Sequence, residues 1–113
     1  MKSEKKSCDL SIAARELKLY AENLGSIYPQ YLNICKNLNK HNRRGNFDIN
    51  RAADAFMPWL ATAARLYCRD FGSAGDRYYT MFCRADRYAV AMALAEEYQA
   101  EYIAGNMAFL DAE

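Results

Sequence analysis

Leu10, Ala13, Leu17, Tyr20 and Leu24 recur at alternating steps of three and four residues, and the pattern then halts at Gly25. Such spacing lines one side of a helix with apolar groups. A glycine just beyond suits the left-handed conformation in which helices commonly end. The arrangement repeats along the chain. Ile27, Tyr31, Ile34 and Leu38 precede Gly45, and Ile49, Ala53, Phe56, Leu60, Ala63 or Ala64, Tyr67 and Phe71 precede Gly72. Tyr88, Ala91, Ala95, Tyr98 and Tyr102, with Met92 beside them, precede Gly105. The expectation is an all-α chain folded as a compact bundle of about five helices.

Local chemistry sets the boundaries. Helix one is expected from Asp9 to Leu24, capped by Ser7 or Asp9. Helix two runs from Ile27 to about Asn42, with Ser26 as its cap and Pro29 in the first turn, where a missing N–H costs little. Helix three starts after Asp48, with Phe47 stapling back onto its first turn. Pro58 would free the carbonyl of Asp54, so a kink is predicted from Asp54 to Pro58, or else two shorter helices meeting there. Ser73-Ala74-Gly75 reads as a loop, and Asp76 can cap a short fourth helix over Arg77 to Phe82. The aromatic content of that segment makes a short strand the alternative. A long fifth helix covers Arg84 to Ala104, and Cys83 to Asp86 has capping-box spacing with Cys in place of Ser or Thr.

A chain of 113 residues is one domain in length, so residues 1–113 read as a single helical domain. Residues 1–8 are expected to be flexible and 106–113 to form a tail. Met107, Phe109 and Leu110 in that tail either dock on the core or await a partner. Formal net charge is +1, which gives no global pull toward nucleic acid or an anionic membrane and argues against an acidic nucleic-acid mimic. No apolar run approaches the roughly 20 residues that span a bilayer. The amino terminus is charged and leads into no apolar stretch, so no secretory signal and a cytoplasmic location are expected. In that compartment Cys8, Cys35, Cys68 and Cys83 should be thiols, although four cysteines could pair in three ways. With no close Cys pair and one His, no metal and no cofactor are expected.

Catalytic groups are hard to assemble. The single histidine, His41, lies in a basic segment, and Cys35, six residues earlier, does not face it on a helix. Glu97 and Glu101 share a face with Glu96 nearby, but no Glu-x-x-His completes a di-metal pattern, so a solvated acidic face is expected. Asp86-Arg87-Tyr88 reads as a helix start, and Gly72 to Gly75 lacks the Lys of a phosphate loop. The chain is therefore not expected to be an enzyme.

Two charge-segregated surfaces remain. Lys36, Lys40, Arg43, Arg44 and Arg51 against Asp48 give +4 over residues 36–51, interleaved with Asn33, Asn37, Asn39, Asn42 and Asn46. Such a segment can contact phosphates or an acidic partner. Aromatic stacking partners are scarce there, Phe47 aside, and a helix carboxyl end repels phosphate. After Arg87 every charge is negative: Glu96, Glu97, Glu101, Asp111 and Glu113. Tyr78, Tyr79, Tyr88, Tyr98 and Tyr102 gather in the same third of the chain, and Tyr is enriched at binding surfaces. The acidic and basic surfaces either pair with each other or with another molecule.

Asn37, Lys40, Gly45, Phe47-Asp48, Ala52, Trp59-Leu60, Ala64-Arg65, Tyr67 and Phe71-Gly72 form a pattern that resembles small uncharacterised helical proteins of bacteriophages and mobile elements. The resemblance continues through Arg77 to Gly105, covers about two thirds of the chain, and implies an accessory role without naming a target or a catalytic residue. The leading expectation is a non-enzymatic protein–protein interaction module that modulates a host complex. Its partner face would be Glu96, Glu97, Tyr98, Glu101 and Tyr102, with Arg43 and Arg44 on the other surface. The alternative is a nucleic-acid-binding or nucleoprotein-associated module that uses Lys36, Lys40, Arg43, Arg44 and Arg51. Neither reading involves a membrane or fixes an oligomeric state.

Overall fold

A computed structural model describes residues 10–70 and 84–111, and every regular element among them is helical. Helix α1 spans Ile12–Glu22. It is capped by Ser11, whose hydroxyl accepts from the Ala14 N–H at 3.0 Å and so satisfies one of the helix's free donors. The expected start at Asp9 is thus corrected: Leu10 precedes the helix, and Ser7 and Asp9 lie outside the described residues. Gly25 does not terminate α1 either. Asn23 is the C-cap, and a 3-10 turn over Gly25–Ile27 leads straight into the next helix.

Helix α2, Tyr28–Arg43, holds Pro29 in its first turn as the sequence predicts, but its N-cap is Ile27 and Ser26 makes no capping bond. Its end is closed by Gly45 at φ +76°. The Gly45 N–H donates to Asn42 O and the Asn46 N–H to His41 O, both at 3.0 Å. This pair of bonds is the Schellman closure that a left-handed glycine permits.

Asp48 then opens helix α3, Ile49–Asp70, by accepting the Asn50 N–H on Oδ1 at 3.0 Å. The helix runs unbroken through Pro58, so the alternative of two helices is excluded and the predicted kink is not confirmed. Asp54 and Pro58 are both exposed, where water can take up a freed carbonyl. The short fourth helix or strand at Arg77 to Phe82, the Ser73-Ala74-Gly75 loop, and residues Cys8 and Cys83 lie outside the described residues. Helix α4 spans Arg84–Ile103 and closes at Gly105, φ +88°, again by two backbone bonds of the Schellman type. A 3-10 turn over Ala108–Asp111 follows.

The long helices α3 and α4 form the principal packed pair; α1 lies across both, α2 packs on α3, and the final turn packs on α2. Ala52, Ala53, Ala63 and Ala64 on α3 and Ala91 and Ala95 on α4 are buried, so the backbones approach closely. Phe56, Leu60, Leu17, Val90 and Leu94 fill the remaining space without exposure worth noting. Each such side chain contributes roughly 1.5–3 kcal/mol by leaving water. Trp59 joins them and donates its indole N–H to Ile27 O at 2.8 Å, tying the start of α2 to the middle of α3.

The inward face of α4 is centred differently from the expected stripe. Val90, Ala91, Leu94, Ala95 and Tyr98 point inward, while Tyr88, Met92 and Tyr102 flank them half-buried. Cys35 is a buried thiol, and burial pushes its pKa up to about 11, which leaves it unreactive at neutral pH. No helix among the described residues is long and apolar enough to cross a membrane.

Candidate functional site

The five side chains expected to form an acidic partner face differ in exposure. Tyr98 is 0% exposed and belongs to the core, so it cannot contact a partner. Its hydroxyl donates to Asn39 Oδ1 at 2.6 Å and accepts from Asn42 Nδ2 at 3.0 Å. Burial pushes the Tyr98 phenol up to about 12 against the opposing hydrogen bond from Asn42. Tyr102 is half-buried against the Tyr98 ring, at a centroid distance of 6.1 Å. Glu97 pairs with Lys18 of α1 at 2.9 Å, and Lys18 also holds Glu22 at 2.8 Å. Burial lowers the Lys18 pKa, but its bonds and charge interactions with these two carboxylates outweigh that and raise it. Glu101 accepts from Asn106 Nδ2 at 2.6 Å, and Glu96 is half-buried. Of the five side chains, only Glu97 and Glu101 are exposed.

The basic segment divides into two sides of α2. One side holds the tail. Asn39, itself 0% exposed, donates to Met107 O at 3.0 Å and to Asp111 Oδ1 at 3.3 Å, and Arg43 pairs with the same carboxylate at 2.9 Å. Asn42 exchanges hydrogen bonds with the Gln99 amide at 3.0 and 3.2 Å. Leu110 is buried between these contacts, whereas Phe109 stays exposed. The hinge and the acidic end of the chain therefore do pair, but through Arg43 and Asp111 rather than through the glutamates of α4.

The other side forms a recess. Asn37, Leu38, Lys40, His41 and Arg44 of α2 and its C-cap, Asn46, Phe47 and Asp48 of the connection, and Arg51 and Ala55 of α3 line an open recess of about 290 Å³. Asn37, Lys40, His41 and Arg44 stand three or four residues apart, so they share a face of α2 that Arg43 leaves by one residue. Arg51 and Ala55 are likewise four apart on the first turns of α3. His41 Nδ1 lies 3.3 Å from Asn46 Oδ1. Phe47 packs its ring on Tyr98, at 5.8 Å between centroids, and so forms a fixed wall rather than the expected staple alone. Lys40, Arg44 and Arg51 form no ion pair among the described residues.

Three of the five basic residues singled out by the sequence thus converge. Arg43 is diverted to the tail, and Lys36 is half-buried away from the cavity. In the sequence His41 stands in the basic segment without Cys35 facing it, and nothing marks Ala55. The shared three-and-four spacing from Asn37 to Arg44 was the signal for His41. Among the described residues no three His, Cys, Asp or Glu side chains cluster as metal ligands would. Chemically, the recess offers two guanidinium groups, one ammonium, one imidazole and two amides, with the single carboxylate of Asp48, against an apolar wall. That composition suits a compact anionic group.

No protein-family model, no curated protein and no solved structure matches this chain.

Proposed function

We propose that the chain is a non-enzymatic protein–protein interaction module that receives an acidic segment of its partner in the recess between α2 and α3. One observation carries this reading: Lys40, Arg44 and Arg51 line one recess of about 290 Å³ in which Asp48 is the single carboxylate, and none of the three forms an ion pair among the described residues. Charges so placed gain most from a partner that brings the opposite sign and steer its approach. The size of the recess favours a protein over nucleic acid. Its three cations surround one local recess, whereas a polynucleotide is held by a track of several phosphate contacts. The resemblance to helical proteins of bacteriophages and mobile elements is the ground for assigning an accessory role, modulation of a host complex in the cytoplasm.

The test is fluorescence anisotropy of a labelled Asp/Glu-rich peptide and of single-stranded DNA and RNA, each titrated with the full chain at low and moderate salt. The reading expects peptide binding that falls at least about tenfold in Arg44→Glu or Arg51→Glu. Tighter binding of either nucleic acid, or no peptide binding at low salt, overturns it.

A further inference from the structure

We infer that the recess between α2 and α3 is a site for a phosphomonoester carried on a partner protein's side chain. This inference rests on the reading of that recess as a partner-binding site and narrows its ligand.

The charge count comes first. Lys40, Arg44 and Arg51 against Asp48 give the lining a formal sum of two positive charges from its Lys, Arg and Asp side chains. A carboxylate supplies a single negative charge and would leave one of them uncompensated. A phosphomonoester carries about −1.5 to −2 near neutral pH and offers three strong acceptor oxygens. Two guanidinium groups are the donors that engage such oxygens in pairs, and the Lys40 ammonium adds a point charge.

The backbone around the cavity removes two objections. A helix carboxyl end normally repels phosphate, but here the His41 and Asn42 carbonyls of α2 already accept the Asn46 and Gly45 N–H groups. Asp48 is the one carboxylate present, and its Oδ1 is engaged by the Asn50 N–H at the amino end of α3, where the helix dipole favours negative charge.

The wall decides between a bare ion and an ester. Leu38, Phe47 and Ala55 line the cavity beside the cations, and the Phe47 ring is fixed by its contact with Tyr98. Inorganic phosphate has nothing to place against that surface. The carbon skeleton of a phosphorylated side chain has.

The experiment is amide NMR titration of the full chain with matched probes. Phenyl phosphate and benzoate share a ring and differ in the anion. A short phosphotyrosine peptide, its unphosphorylated twin and uridine 5′-monophosphate separate a protein source from a nucleotide source. Expected are shifts confined to the cavity residues and phenyl phosphate binding at least about tenfold tighter than benzoate. The phosphopeptide should exceed both its twin and the nucleotide by a similar factor. Arg44→Gln and Arg51→Gln, both at exposed positions, should each reduce phenyl phosphate binding about tenfold with an unchanged circular-dichroism spectrum. Equal binding of benzoate, or tighter binding of the nucleotide, overturns the inference while leaving the acidic-segment reading in place. Failure of every probe and of the Asp/Glu-rich peptide sinks both.

Discussion

The hydroxyl of Tyr98 donates to Asn39 Oδ1 across 2.6 Å, and both side chains are wholly buried. This single bond joins the carboxyl-terminal half of α4 to the carboxyl-terminal half of α2, and Asn39 passes the connection on to the Met107 carbonyl and Asp111. Buried polar groups stabilise a particular arrangement only when each is partnered, and here both are.

Tyr98→Phe removes the donor and leaves Asn39 Oδ1 buried without it. The expected loss is about 1–3 kcal/mol in urea unfolding. Asn39→Ala should cost a similar amount, and the double variant should cost less than the sum, because the two residues share one network. Additive losses would show that the bond is energetically idle.

The tail is held by burial more than by charge. Leu110→Ala should destabilise by about 2 kcal/mol, whereas Arg43→Ala, which breaks the partly exposed pair with Asp111, should cost at most about 1 kcal/mol. Thermal unfolding of the two variants checks the order, and a larger effect of Arg43→Ala contradicts it.

Alkaline pH should unfold the chain earlier than loss of surface ion pairs alone would cause. Burial holds Cys35 up to about 11 and Tyr98 up to about 12, and Tyr20 reaches about 12 through burial and its 2.6 Å bond to Asp70. Tyr31 is raised as well, again chiefly by burial. These groups keep their protons in the folded state where the unfolded chain loses them. Their stabilisation is therefore complete below about pH 9 and is lost progressively toward pH 12. Urea midpoints should fall across that window, and Cys35→Ala should flatten the first part of the decline. A midpoint unchanged between pH 9 and 11 contradicts the placement of these groups.

Gly45→Ala isolates a backbone effect. A Cβ at Gly45 would meet nothing within 4 Å, yet φ is +76°. The substitution should cost about 1–2 kcal/mol through the left-handed conformation alone, in urea unfolding. Gly25→Ala, also uncrowded and without positive φ, should be nearly neutral or slightly stabilising. Equal effects at the two positions would contradict the assigned closure of α2.

Much of the fold was legible because apolar spacing and glycine chemistry are local. Ile49, Ala53, Phe56, Leu60 and Tyr67 read as one helix face and pack as one, and Gly45 and Gly105 close helices where the pattern stops. Ser11 was overlooked because Ser7 and Asp9 cap equally well on paper; what favours Ser11 in the fold includes its bond to Asp86 at 3.0 Å, 75 residues away. Tyr98 could not be placed from sequence, since a tyrosine suits either side of an amphipathic helix and its partner Asn39 lies on another helix. The same holds for the site. Lys40, Arg43 and Arg44 look equivalent along the chain, and only the docking of the tail on one side of α2 sends Arg43 to Asp111 and leaves the others facing the recess.

The most direct measurement is an amide-shift map of the full chain titrated with an Asp/Glu-rich peptide at moderate salt. The account predicts perturbations at Lys40, His41, Arg44, Arg51 and Ala55 that disappear when Lys40, Arg44 and Arg51 are all changed to Gln. Perturbations centred instead on Glu97, Glu101 and Tyr102, or unchanged by those substitutions, would contradict it.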